Sequence, residues 1–105
     1  LDMYDVCETN AYKMALGDRA YRIPVSAVKS MIGQSYSAGG LMNLGGALLA
    51  LNKGVIPPTL NLEDPGEGCD LDYVPNIARE KKISVAISNS FAFGGLNAVQ
   101  VLQSV

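Results

Sequence analysis

Apolar and polar positions follow one another along this chain in three rhythms, and each rhythm predicts an element. In the run Val6-Cys7-Glu8-Thr9-Asn10-Ala11-Tyr12-Lys13-Met14-Ala15-Leu16, residues Cys7, Ala11, Met14 and Ala15 recur at three- and four-residue spacing, one face of a helix. Asp5 is the predicted N-cap, Glu8 three places on completes a capping box, and Gly17 ends the helix in the left-handed position. On this reading Cys7 is a small core residue rather than a nucleophile, because the helix lacks the electropositive surroundings that a reactive thiolate needs. Residues 21–26 then predict a short extended segment, since Pro24 disfavours helix at Ile23 and the flanking residues are β-branched.

From Ser37 to Leu51 the rhythm disappears, and Asn43 is the one clearly polar residue after the opening serine. A helix apolar on every side belongs inside a protein, and this one is too short and too interrupted by glycine to be a membrane span. Gly39, Gly40, Gly45 and Gly46 each cost about 1 kcal/mol of helix propensity relative to alanine, so they predict close approach of neighbouring backbone. Asn52-Lys53-Gly54 marks the helix end, and residues 55–62 are extended, with Pro57 and Pro58 keeping them out of a central sheet position. Residues 63–72, rich in Asp, Glu, Gly and Pro, read as a solvated connection. The third rhythm is the alternation over 83–88, a strand buried on at least one face, with a second strand over 98–103. The connection between them holds both phenylalanines of the chain, Phe91 and Phe93, beside Gly94-Gly95. A plain hairpin loop is polar, so this one is either a hydrophobic loop tucked under the fold or, on the functional reading, a flexible aromatic gate that shapes a pocket. Helix, extended segment, buried helix and strands together predict an α/β layer arrangement.

With 105 residues and 49% hydrophobic content the chain makes one small domain, which can hardly wrap its own apolar helix on all sides. A piece of a longer fold is therefore expected, and Leu1 already opens into a helix pattern. A formal net charge of −2 gives no general attraction to nucleic acid or anionic lipid. Cys7 and Cys69 are too few and too far apart for a metal site or a disulfide framework, so reduced thiols in a cytoplasmic protein are expected. The carboxylates around Cys69 fit no EF-hand spacing, and no metal is expected. The absence of histidine excludes a Ser-His or Cys-His nucleophile pair within the chain, so part of any chemistry comes from elsewhere. Lys29, set between Val28 and a small-residue turn, is either solvated or buried and paired with a carboxylate, for which Glu8 is the nominee.

Four motifs stand in order along the chain: Asp5-x-x-Glu8, Val25-Ser26-x-x-Lys29-Ser30-x-x-Gly33, Val55-x-Pro57-Pro58-Thr59-x-Asn61, and Asn89-Ser90-Phe91-x-Phe93-Gly94-Gly95-x-Asn97. Together they resemble the C-terminal half of a β-ketoacyl-acyl carrier protein synthase, the condensing enzyme of fatty-acid and polyketide synthesis. The resemblance implies the C-terminal half of a thiolase-like α/β fold, layered α-β-α with a buried central helix and a mixed sheet, with residues 1–105 as one β-ketoacyl synthase domain. It implies a nucleophilic cysteine in an N-terminal half and a first histidine upstream of Leu1, neither of which Cys7 or Cys69 matches.

The same resemblance assigns the site. Gln34 stands where the family carries its second histidine; its amide can donate a hydrogen bond to a thioester oxygen but cannot exchange a proton near neutral pH. Lys29 matches a lysine that pairs with the acid at Glu8, Phe91 and Phe93 match gating residues beside Gly94 and Gly95, and the Phe93 N–H is implied in an oxyanion hole. Asp5, Ser88 and Asn89 match supporting positions, and Asn43 stands where many relatives carry a glutamate associated with a monovalent cation. No cofactor is implied on the chain itself; phosphopantetheine would arrive on an acyl carrier protein. The implied partners are that carrier, the N-terminal half, and a second copy or a ketosynthase partner. The implied activity is decarboxylative Claisen condensation. A non-catalytic subunit like a chain-length factor is the alternative, and this segment alone is expected to be inactive under either.

Overall fold

The computed structural model describes residues 2–105. Helix α1 (Asp2–Leu16) runs into a 3-10 helix (Gly17–Arg22), followed by the short α2 (Lys29–Ile32), a 3-10 turn (Tyr36–Ala38) and α3 (Gly39–Lys53). The strands are β1 (Val55–Ile56), β2 (Arg79–Glu80), β3 (Val85–Ala92) and β4 (Leu96–Gln103).

Helix α1 ends where the sequence predicts, with Gly17 at φ +57°, but it begins at Asp2. Asp5 therefore lies inside the helix and is not its N-cap, and no capping box forms with Glu8. After Gly17 the chain keeps turning to Arg22, so the expected extended segment is shortened to the stretch from Ile23 onward. There Val25 donates its N–H to the Asp72 carbonyl at 2.8 Å.

The stripe that predicted the core face of α1 is the face turned to solvent. Cys7, Ala11, Met14 and Ala15 are all exposed, Met14 at 89%, whereas Thr9 on the other side is 1% exposed. The reason is local: the loop around residues 66–73 lies over Thr9 and Val6, with the Tyr73 hydroxyl 2.7 Å from Thr9 Oγ1. The apolar stripe has no cover among the described residues.

The same holds for α3. Its Ala50 is buried and Gly54 closes it in the left-handed conformation, its N–H on the Ala50 carbonyl at 2.9 Å. Leu41 is 72% exposed, and Leu48 and Leu49 are also exposed, so the helix expected to be buried is covered on one side only. A helix apolar all round needs two layers, and this chain supplies one. On the covered side two of the four glycines meet neighbouring side chains rather than the expected backbone, and Gly39 and Gly45 face open space. A Cβ at Gly40 would lie 3.1 Å from Ser90 Oγ on β3, and one at Gly46 would lie 3.0 Å from Val28 Cγ1.

Strands β3 and β4 form an antiparallel hairpin from Val85↔Gln103 to Ala92↔Leu96. Residues 89–92, expected in a long connection, continue the strand, and the turn is three residues, Phe93–Gly95. Two successive left-handed residues close it, Gly94 at φ +79° and Gly95 at φ +77°, which explains why both are glycine. Since Ser90 faces α3, strand alternation puts Ala86 and Ser88 on that face and Ile87, Asn89 and Phe91 on the other. Strands β1 and β2 make a second, separate antiparallel pair, and an isolated parallel bridge outside both pairs joins Thr59 and Pro75.

The core is small and lies around the second pair: Ala20, Ile56, Leu71 and Val74 are buried. Residues 63–68 are solvent-exposed as predicted, but Leu71 is buried and Asp72 half-buried. Asp72 accepts a hydrogen bond from the Val74 N–H at 3.1 Å and is gripped by both terminal nitrogens of Arg79. Among the described residues no helix is long and apolar enough to cross a membrane.

Candidate functional site

Two motifs that are far apart in sequence are stitched together. Ser26 Oγ donates to the Pro57 carbonyl at 2.6 Å, and the Ala27 N–H donates to Thr59 Oγ1 at 3.1 Å. Thr59 Oγ1 in turn donates to the Tyr73 carbonyl at 2.7 Å. Ser30 Oγ donates to the Ala27 carbonyl and accepts the Leu60 N–H, both at 2.8 Å. The segment carrying Lys29 and Gln34 is thus fixed by hydroxyls and main chain. Gly33 at φ +81° turns the chain out of α2, and Gln34 follows, exposed, before Tyr36 at φ +45°.

Lys29 opens α2 and is exposed, with no ion pair among the described residues. The expected Lys29–Glu8 pair is therefore not formed. Glu8 has a donor one helical turn away, the Tyr12 hydroxyl, which lies on the same face of α1 by its four-residue spacing.

That phenol also accepts a hydrogen bond from Asn89 Nδ2 at 2.9 Å. The Asn89 carbonyl accepts one from Asn43 Nδ2 of α3 at 3.1 Å. Asn89 is the joint at which α1, β3 and α3 meet, and it brings the predicted Glu8 and Asn89 into one network. Burial, followed by hydrogen bonding to the Glu8 carboxylate and its charge, pushes the Tyr12 phenol well above its ordinary value of 10.0, so it remains a neutral donor. Next to this joint Ser88 is 5% exposed, and its hydroxyl has no hydrogen-bond partner among the described residues.

Beyond Asn89 the hairpin projects. Phe91 is exposed and Phe93 at the turn is 94% exposed. Glu8, Ser88 and Asn89 are thus brought together with Tyr12 and Asn43 near the base of the hairpin. Phe91, Phe93, Gly94 and Gly95 form its tip. Asp5 lies on the exposed side of α1, and Lys29 and Gln34 lie on the stitched segment.

A second polar cluster joins α1 to the loop beside it. Thr9 Oγ1 lies 2.7 Å from the Tyr73 hydroxyl and 3.8 Å from Cys69 Sγ, while Lys13 pairs with Asp70 and lies 5.5 Å from the Tyr21 ring centroid. Cys7 and Cys69 are both free thiols. Sequence reasoning missed Tyr12 and Thr9, and of the two only Tyr12 left a usable signal, its four-residue spacing from Glu8.

Residues 2–63, more than half of the chain, match the family described as β-ketoacyl synthase, C-terminal domain. The chain is 52% identical over 95 residues to the tetracenomycin polyketide synthase ketoacyl synthase alpha subunit of Streptomyces glaucescens, covering 90% of this chain and 22% of that protein. It is 50% identical over 101 residues to 3-oxoacyl-[acyl-carrier-protein] synthase 2 of Coxiella burnetii, covering 96% of this chain and 24% of that protein. Among solved structures, a type II polyketide synthase acyl-carrier protein in complex with its ketosynthase bound to the hexaketide aligns at a TM-score of 0.90 and 36% identity, covering 93% of this chain and 24% of the other. The ishigamide ketosynthase/chain length factor aligns at 0.89 and 37% identity, covering 95% and 24%. The chain spans about a quarter of the length of these relatives. The hairpin, the apolar α3 and the stitched Val25–Gly33 segment are thus those of a thiolase-like ketosynthase fold, and the chain belongs to the β-ketoacyl synthase C-terminal domain family.

Proposed function

We propose that the protein containing this segment catalyses decarboxylative Claisen condensation of an acyl thioester with a malonyl thioester carried on acyl carrier protein. The observation that carries the reading is high identity to ketosynthases of two pathways, 52% to the polyketide enzyme and 50% to the 3-oxoacyl synthase. In this scheme residues 1–105 are the C-terminal domain, and an N-terminal half supplies the cysteine that holds the acyl group. Loss of carbon dioxide from the malonyl group leaves a carbanion, which attacks the acyl thioester carbonyl and releases the cysteine thiolate. The Phe93 N–H donates to the oxyanion of that tetrahedral step, and the Gln34 amide donates to the malonyl thioester oxygen as charge develops there. Phe91, Gly94 and Gly95 shape the tip, with Asp5, Glu8, Lys29, Ser88 and Asn89 in support.

The uncovered faces fit a partner half: Cys7, Ala11 and Met14 on α1, and Leu41, Leu48 and Leu49 on α3, are apolar and exposed together. The phosphopantetheine of the carrier protein delivers both thioesters, and the assembly is a homodimer or a ketosynthase heterodimer in the cytoplasm. Gln34 favours one alternative, a non-catalytic subunit like a chain-length factor, because a glutamine carboxamide does not titrate near neutral pH and cannot serve as a general acid or base.

The test is the intact mass of the full-length protein after incubation with an acyl-carrier-protein thioester. Covalent acylation followed by product release with malonyl-carrier protein is expected. An unmodified protein would sink the enzyme reading in favour of the partner subunit.

A further inference from the structure

We propose that Tyr12 is a positioning residue that ties the carboxamide of Asn89 to Glu8 on α1 and so sets the aim of the hairpin tip at residues 91–95. The inference rests on the reading of that tip as part of a condensing site. Tyr12 has one proton to give, and a carboxylate can only accept, so the phenol proton points at Glu8. Its oxygen then faces Asn89 Nδ2 at 2.9 Å, which fixes which end of the carboxamide looks toward α1. On the other flank Asn43 holds the Asn89 carbonyl at 3.1 Å. The side chain is held from α1 and the main chain from α3. Beyond Ser90, which lies against Gly40 of α3, no hydrogen bond among the described residues ties the strand to anything but β4, and Phe93 at its end is 94% exposed.

The geometry acts as a lever. At about 3.3 Å per residue, Phe93 lies roughly 13 Å along the strand from Asn89. A tilt of about 5° at Asn89 moves the tip by about 1 Å, and misplacement of that size can cost on the order of 100-fold in rate. Removing the phenol oxygen leaves Asn89 held on one flank only. Tyr12 also takes the place that Lys29 would have had as partner of Glu8, so the carboxylate serves the hairpin rather than the α2 segment.

The test compares full-length wild type with Tyr12→Phe, Asn89→Ala and the double variant. Tyr12→Phe should speed amide hydrogen exchange at residues 90–96 at least tenfold while leaving Val55 and Ile56 unchanged. It should lower both kcat for condensation and the rate of cysteine acylation about tenfold, since each passes through an oxyanion facing the tip, with KM for malonyl-carrier protein within twofold. In the Asn89→Ala background the same change should do nothing further. Unchanged exchange at the tip, or an equal additional loss in the Asn89→Ala background, would overturn the proposal. If wild type releases no product but Tyr12→Phe still loosens the tip, the positioning role stands and the condensing reading fails.

Discussion

The Thr9–Tyr73 pair yields a prediction whose asymmetry comes directly from burial. Thr9 Oγ1 and the Tyr73 hydroxyl are 2.7 Å apart, but Thr9 is 1% exposed whereas Tyr73 is only half-buried. Thr9→Val keeps the shape and deletes one hydroxyl; the Tyr73 phenol then turns to water, so the loss is about 0.5–1 kcal/mol, the net worth of an ordinary hydrogen bond. Tyr73→Phe strands the Thr9 hydroxyl where water does not reach, leaving it the Cys69 sulfur at 3.8 Å, and the loss rises to about 1–3 kcal/mol. The double variant leaves neither group unpaired, so it should cost less than the sum of the singles by about 1 kcal/mol. Equilibrium urea denaturation of the four full-length proteins gives the cycle. A Tyr73→Phe loss no larger than that of Thr9→Val, or strict additivity, would refute the argument that burial decides the cost.

Two further outcomes follow from the charges and the site. The Arg79 guanidinium beside Asp72 holds its carboxyl below the usual carboxylate range, despite an opposing push from partial burial. Because the folded-state value is the depressed one, the stability Asp72 contributes is present above its unfolded value of about 3.9 and disappears as pH falls through the lower folded value. The melting-temperature gap between wild type and Asp72→Asn should therefore be constant from pH 7 to about 5 and narrow progressively as pH falls below the unfolded value of about 3.9; a gap that stays constant to the acid end contradicts it. Gln34→His introduces a group titrating near pH 6.5, so the ratio of variant to wild-type condensation rates should change sigmoidally around that pH. A flat ratio from pH 5.5 to 8 would show that position 34 takes no part in the rate.

Elements were legible in the sequence where local chemistry decides them, and faces were not. The end of α1 at Gly17, the end of α3 at Gly54 and the existence of both hairpin strands follow from left-handed glycines and from alternation, which need no partner. The spacing of Cys7, Ala11, Met14 and Ala15 predicts a face turned to this chain's own core, yet those residues are exposed and Thr9, a polar residue, is buried. Periodicity identifies an apolar face but carries no information on which segment covers it. The same limit explains α3, expected to be buried on all sides and covered on one. The site shows the converse case. Glu8 and Asn89 both carry a sequence signal, but the residue that joins them, Tyr12, sits on a helix face that periodicity marks only as mixed, and Glu8 takes its hydrogen bond from Tyr12 rather than from Lys29.

The loop that carries Gln34 separates scaffolding from chemistry. The bonds that fix this stretch belong to other groups, among them the Ser26, Ser30 and Thr59 hydroxyls, the Val25, Ala27 and Leu60 main chain, and the Gly33 N–H on the Lys29 carbonyl. Gln34 itself stands exposed after the turn. A substitution there changes what this exposed position can donate or accept without removing any of these hydrogen bonds. Position 34 is therefore a socket, in which an imidazole, a carboxamide or another polar head can be exchanged one for another in a single step. Thr59 is its opposite: one hydroxyl there accepts from Ala27 and donates to the Tyr73 carbonyl, so any exchange must redraw the loop before it can change the chemistry.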